Sequence, residues 1–197
     1  MKNPTIDTVS FDSYSGGYMI AKHFEEQGYK NFGIVSGPGD AVDAVFRKNG
    51  FVDHISEKKD LKLVWEYKGD FSSESGRDAF NDYKNQNIPD MAIFGCNDHT
   101  CFGFMKEALE AGFKIPKDFI IAGYDNLSFC ENFTPELTSV ATNFDILGKR
   151  AIRTIENMVN DSNEIIRQFS MVPVEIVIRS STPVSYTHLR AHETVVH

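Results

Sequence analysis

Six short stretches place carboxylates, amides, hydroxyls and an arginine directly after apolar runs. They are VSFDSYS (9–15), SGPGDAVDAVFR (36–47), KGDFSS (68–73), GCNDHT (95–100), GYDN (123–126) and VATNF (140–144). Asp and Asn offer acceptors and donors in fixed geometry, and Arg47 offers a rigid fork of donors for two adjacent oxygens. Phe71 and Phe144 could cover the apolar face of a sugar ring or a base. The set suits a polar ligand with many hydroxyls. Each residue alone is also an ordinary helix cap or turn former, and Asn97 and Asp98 would cap the helix that follows them.

Catalysis and phosphate binding find no such support. The glycines of GPGDAVDAVFRK match neither G-x-x-x-x-G-K-[ST] nor G-x-G-x-x-G. VSGPG is not a G-x-S-x-G elbow. His23, His54 and His99 fall in no nucleophile–base spacing, and His23 reads as part of a helix face. Without a catalytic constellation, the chain reads as a binding protein and not an enzyme. Cys96, Cys101 and Cys130 are odd in number and form no C-x-x-C, so they read as reduced thiols, with no cofactor implied.

The elements that must position these residues alternate. Strand patterns occur at 6–11, 31–37, 61–67, 90–95, 119–124, 137–141 and 172–178. Helical periodicity occurs between them at 18–28, 41–56, 73–84, 99–111 and 144–159. FIIAGY (119–124) is apolar throughout, as a strand buried on both faces should be. The alternation predicts an α/β fold of doubly wound parallel sheets, with right-handed crossovers and helices on both faces. Ligands then bind beyond the carboxyl ends of the strands, where all six stretches fall.

The totals bound the partners. Of the 197 residues 41% are hydrophobic and 24% charged, enough apolar content to bury a core. The net charge of −8 argues against this segment gripping DNA or RNA, because that affinity comes largely from basic side chains on phosphates. No apolar run reaches membrane-spanning length, and no signal peptide is visible at MKNPTIDTVSF. The tail PVSYTHLRAHETVVH (183–197) breaks the pattern. His188 and His192 have metal-ligand spacing on a helix, but VSYTHLRAHET resembles the translation of a sequencing-library adapter and is set aside from the fold.

Eight motifs in order carry a resemblance from Ile6 to Thr182. They are VSFDSYSGG, HFEEQGYKNFGIVSGP, FRKNGF, GDFSSESG, AIFGCNDHTCFGFMKEALEAGFKIPKDFIIAGYDN, PELTSV, FDILGKRA and VEIVIRSST. Together they resemble the effector-binding domain of the LacI/GalR family of transcriptional regulators. The resemblance implies a periplasmic-binding-protein-like (type I) two-lobed sensor with its first lobe incomplete. Residues 1–29 would be a remnant of the N-terminal lobe and 30–141 the C-terminal lobe. Residues 142–171 would return to the first lobe, and 172–182 would be the final strand. Crossings between lobes are expected near Gly28–Asn31, near Thr142 and near the final strand. The first-lobe sheet would lack strands and expose an edge.

The family's ligand-contacting places fall on Ser15, Asp43, Arg47, Phe71, Asn97, Asp125 and Thr142. Arg47, Asn97 and Asp125 match the commonest residue types, Phe71 matches a stacking aromatic, and Asp12 reads as structural or at the cleft rim. Asn126 would begin a turn. The implied partners are a small-molecule effector of the sugar or nucleobase class, a second copy in a homodimer, and operator DNA through a helix-turn-helix absent from this segment. The implied location is the cytoplasm, with no membrane partner. A periplasmic or secreted sugar-binding protein of a transporter is the alternative, and a signal peptide upstream of Met1 would favour it.

Overall fold

The computed structural model describes residues 7–86, 88–160 and 169–182 of the chain. In chain order the elements are β1 (Thr8–Phe11), α1 (Ser13–Glu26), β2 (Asn31–Ser36), α2 (Val42–Ser56), β3 (Lys62–Lys68), α3 (Ser73–Tyr83) and β4 (Met91–Gly95). There follow α4 (Asp98–Glu110), β5 (Phe119–Asp125), a 3-10 turn (Ser128–Glu131), β6 (Thr138–Ala141), α5 (Phe144–Asn160), β7 (Phe169–Val172) and β8 (Glu175–Val177). The tail with His188 and His192 lies outside the described residues.

Side chains alternate across a strand, so a strand with helices on both faces needs apolar residues at consecutive positions. In β2, Ile34 faces one core and Val35 the other. Ala92 and Phe94 of β4 join the first core, while Met91 and Ile93 join the second. β5 divides likewise, Ile120, Ala122 and Tyr124 against Phe119 and Ile121. The first core is closed by Ile20 and Phe24 of α1 and Phe51 of α2, the second by Phe80 of α3 and Phe104 of α4. The six strands run in the order β3-β2-β4-β5-β6-β8, parallel except for β8, which lies antiparallel on β6. This is the doubly wound α/β architecture that the alternation predicts, and FIIAGY is buried along its whole length.

Each helix pair crosses backbone against backbone through two glycines. A Cβ on Gly17 of α1 would lie 1.9 Å from the Arg47 carbonyl oxygen, and one on Gly50 of α2 would lie 2.0 Å from the Tyr14 oxygen. The second pair repeats this, with Gly76 of α3 against Thr100 and Gly103 of α4 against Ser73. Helix α1 is therefore locked onto α2 and belongs to the larger sheet.

A smaller sheet pairs β1 with β7 in parallel, and the Asp12 amide extends the ladder by donating to the Val172 oxygen at 2.9 Å. Helix α5 lies beside β1, where Phe11 meets Phe144 edge to face at 5.3 Å, and its Ile152, Ile155 and Met158 are exposed.

Two expectations need correction. The passage between sheets expected near Gly28–Asn31 falls at Asp12, because β1 pairs with β7 while α1 packs with α2 on the larger sheet. The single final strand over 172–178 is two strands. Pro173 has no N–H for a ladder, so the apolar run breaks there. Val172 stays in the smaller sheet and Glu175 joins the larger. The other crossings run through Thr142–Asn143 and Pro173–Val174. No described helix is long and apolar enough to cross a membrane.

The helix contacts predict that Gly17→Ala lowers stability by about 3 kcal/mol, the upper range for forcing atoms into a packed interior. Gly39→Ala, which meets no atom within 4 Å, should change it by under about 0.5 kcal/mol, as surface substitutions do. Urea unfolding midpoints of the two variants check this.

A candidate ligand cleft at the carboxyl edge of the larger sheet

Parallel strands end on one edge, so the loops after β2, β4, β5 and β6 gather there. Arg47, on the inner face of α2, is 8% exposed. Its Nη1 donates to the Cys96 carbonyl after β4 at 2.7 Å, and its Nη2 meets Asp125 Oδ1 at the end of β5 at 3.0 Å. The guanidinium carbon sits 3.8 Å from the centre of the Tyr124 ring and 5.8 Å from that of Phe71. A buried cation needs such partners, since losing water costs several kcal/mol that carbonyl, carboxylate and ring must offset. Arg47 Nε and the Tyr124 hydroxyl are buried without a partner in hydrogen-bonding geometry among the described residues. Burial pushes the Tyr124 phenol well above its ordinary range.

Asp125 is the anionic half of the pair. Burial raises its carboxyl above the ordinary range, and the Arg47 charge opposes that rise. Its φ is +106°, that of Asn126 is +54° and that of Phe71 is +72°. Asn and Asp tolerate the left-handed region better than other non-glycine residues, so GYDN is suited to end a strand in this way. Thr142 Oγ1 donates to the Asp125 carbonyl at 3.2 Å, and the Asn126 amide donates to Ser139 Oγ at 3.0 Å.

The other sequence candidates stand around this pair in different ways. Phe71 is half-buried, with its ring close against Gly37, where a Cβ would lie 2.3 Å away. Asn97 caps α4: its Oδ1 accepts from the Thr100 amide at 3.0 Å, and its Nδ2 donates to the Phe71 carbonyl at 2.9 Å. Its amide therefore braces the turn that carries the aromatic ring. Asp43 is exposed in the first turn of α2 and accepts from Ser13 Oγ at 3.0 Å. Ser15 bonds within the α1 cap, donating from Oγ and from its amide to the two oxygens of Asp12 at 2.7 and 3.1 Å. Asp12 thus caps α1. Thr142 also lines a cavity of about 620 Å³ at the crossing into α5, together with Asn126, Phe144 and Glu175. Contacts unite Arg47, Phe71 and Asp125 directly, with Asn97 and Thr142 holding their backbones; Asp43 and Ser15 stand at the N-termini of α2 and α1.

Three contributors were not singled out from sequence. Tyr124 was read only as part of an apolar strand, although a residue preceding a strand-end Asp must face the opposite side of the sheet from its neighbours. Arg179 lay unassigned in the R-x-S-T run. Asp98, read as a cap, is fully buried and bonds away from its helix, accepting from Ser139 Oγ at 2.6 Å and from the Leu127 amide at 2.8 Å. Burial raises its carboxyl to about 6. The three cysteines are free and fully buried, and burial pushes the Cys96 thiol up to about 12. Among the described residues no group of His, Cys, Asp and Glu could hold a metal ion.

Asp98 predicts a pH dependence with a definite sign. Its folded carboxyl binds a proton more tightly than the unfolded one, whose ordinary value is 3.8. Its contribution to stability is therefore fullest below about pH 4 and falls as pH rises through about 6, by about 3 kcal/mol in all. Asn at this place can accept from Leu127 and donate to Ser139. Over pH 4–7, wild type should lose about 2 kcal/mol of that relative to Asp98→Asn, read from urea unfolding at each pH. A constant difference between the two would contradict the assignment.

A family profile described as periplasmic binding protein-like domain matches residues 21–182. The HTH-type transcriptional repressor PurR of Mannheimia succiniciproducens is 32% identical over 180 residues, covering 91% of this chain and 54% of that protein. A LacI family transcriptional regulator from Enterococcus faecalis, solved with bound ribose, superposes with a TM-score of 0.80 at 30% identity over 89% of this chain and 63% of that one. A LacI-type regulator from Bacillus cereus subsp. cytotoxis reaches 0.85 at 23% identity, covering 94% of this chain and 66% of that one, which is a likeness of fold. The chain spans about half the length of the curated relatives it matches. It belongs to the periplasmic binding protein-like domain family and is similar to LacI-family transcriptional regulators.

Proposed function

We propose that this domain senses a small polar effector, of the sugar class, for a DNA-binding transcriptional regulator. The observation that carries the reading is the Arg47–Asp125 pair at the carboxyl edge, with Tyr124 beneath the guanidinium and Phe71 beside it. A sugar diol can accept from the arginine fork and donate to the carboxylate, and an aromatic ring can cover its apolar face. Arg47 Nε supplies a further buried donor to satisfy. The ribose in the Enterococcus faecalis regulator supports the sugar class, and the PurR relatives keep nucleobases in view.

In this reading Arg47 and Asp125 hold the effector, Phe71 stacks on it, and Asn97, Asp43, Ser15 and Thr142 complete or brace the cleft. The cleft residues lie on the larger sheet beside the passages at Asp12 and Thr142, so an effector seated there favours one arrangement of the two sheets. The effector shifts that equilibrium by its differential affinity for the two arrangements. Operator DNA is read by a helix-turn-helix outside this acidic segment, in a cytoplasmic homodimer, with no cofactor and no chemical turnover.

A screen of melting temperature against sugars and nucleobases, using the full-length protein, tests the class, since a ligand that binds only the native state raises stability. Arg47→Ala and Asp125→Ala should each abolish the ligand-induced shift and the effector response while leaving operator binding intact. A shift that survives Asp125→Ala overturns the assignment, and turnover of a sugar or nucleoside overturns the binding-only reading.

A further inference from the structure

The left-handed turn at Asp125–Asn126 aims the cleft carboxylate, so whatever holds Asn126 sets the position of Asp125. The described contacts name the holders. The Asn126 amide and the Leu127 amide are taken by Ser139 Oγ and Asp98 Oδ2, which are joined through Asp98 Oδ1. The Asn126 side chain is taken by Arg179, whose Nη2 donates to Asn126 Oδ1 at 2.8 Å. Arg179 has only 7% of its side chain exposed. Its Nη1 donates to the Leu137 carbonyl at 2.8 Å, and Nη2 also meets Glu131 Oε1 at 3.0 Å. Its own amide donates to Thr138 Oγ1 at 2.8 Å.

We infer that Arg179 is a positioning residue for the cleft: its guanidinium holds Asn126 in the left-handed conformation and so fixes Asp125 against Arg47. One fork reaches the turn after β5, the 3-10 turn and the strand leading into β6 at once. A lysine has a single nitrogen on a flexible stem and cannot span the same three acceptors. The segment after β8 thereby acts on the cleft without touching its contents. This role explains why an arginine that bonds to none of Arg47, Phe71 or Asp125 nonetheless keeps its side chain almost fully out of water.

The inference rests on the proposed ligand cleft for its functional consequence, but its structural step is testable without a ligand. In the full-length protein, Arg179→Met should accelerate amide hydrogen exchange in a peptide spanning 124–128 by at least tenfold, with peptides in β2 and β4 unchanged. Arg179→Met combined with Asn126→Gly should slow that exchange part of the way back, because glycine adopts a positive φ without the steric cost that the clamp on Asn126 offsets. A merely structural loss would not be recovered by glycine. D-ribose is the ligand probe. Where wild type binds it, Arg179→Met should weaken binding at least tenfold, and the double variant should recover most of it. Where wild type shows no binding to D-ribose or the other sugars, the sugar reading fails and the exchange measurements alone decide the role of Arg179. Unchanged exchange at 124–128 in Arg179→Met, or no recovery with Asn126→Gly, overturns the proposal.

Discussion

A single guanidinium organises the carboxyl edge of this domain. Arg47 is nearly out of water, and a cation there is stable only while its partners stay in place. Those partners come from the ends of two neighbouring strands: the Cys96 carbonyl after β4, and the Asp125 carboxylate with the Tyr124 ring at the end of β5. The backbone of Arg47 is no freer. Its carbonyl lies where a Cβ on Gly17 would be, so the close crossing of α1 and α2 sets the height from which the side chain reaches down. Helix packing and cleft geometry are one constraint here. A glycine in α1, with no side chain to offer the cleft, decides whether the fork meets its carboxylate.

The strand ends accept unusual backbone to deliver these groups. Positive φ at Phe71 is harder to sustain than at Asp125 and Asn126, because only the latter types visit that region with some ease. The surroundings over-determine it. Asn97 Nδ2 holds the Phe71 carbonyl, and the bare face of Gly37 admits the ring. A residue that caps α4 thus also orients the aromatic wall, so cap and ligand-site readings of Asn97 are not alternatives. The same holds for Asp98, which begins α4 yet spends both carboxylate oxygens on the loop after β5 and on β6.

Sequence periodicity revealed the elements because the physics behind it is local. Apolar runs bounded by Gly and Asn placed β2, β4 and β5 within a residue of their observed bounds, and the alternation of strand and helix implied the winding. The misread places depend on distant partners. Whether α1 sits on one sheet or the other is decided by glycine contacts with α2, which no local pattern carries. VPVEIVI reads as one strand until its two halves are seen to pair with β1 and β6. Arg47 and Asp125 were legible as strand-end and helix residues of the right chemistry, but their pairing was not. Tyr124 beneath the guanidinium and Arg179 on Asn126 were invisible, because a tyrosine in an apolar strand and an arginine after a strand have many ordinary explanations.

The bonds that hold the cleft also hold the crossings. Thr142, in the passage from β6 to α5, grips the carbonyl of Asp125; Asp12, in the passage from β1 to α1, caps the helix that bears Ser15 and donates to Val172 of the smaller sheet. Beyond the third passage, Arg179 grips Asn126. In the proposed reading, a shift of one sheet against the other pulls on Thr142 and so on its bond to the turn that aims Asp125. A molecule that binds the aligned pair more tightly than the misaligned one shifts the balance by that difference and no more. Coupling of this kind needs no long relay. Residues of the passages and residues of the proposed cleft are adjacent in the chain and share hydrogen bonds, so in that reading one equilibrium governs both.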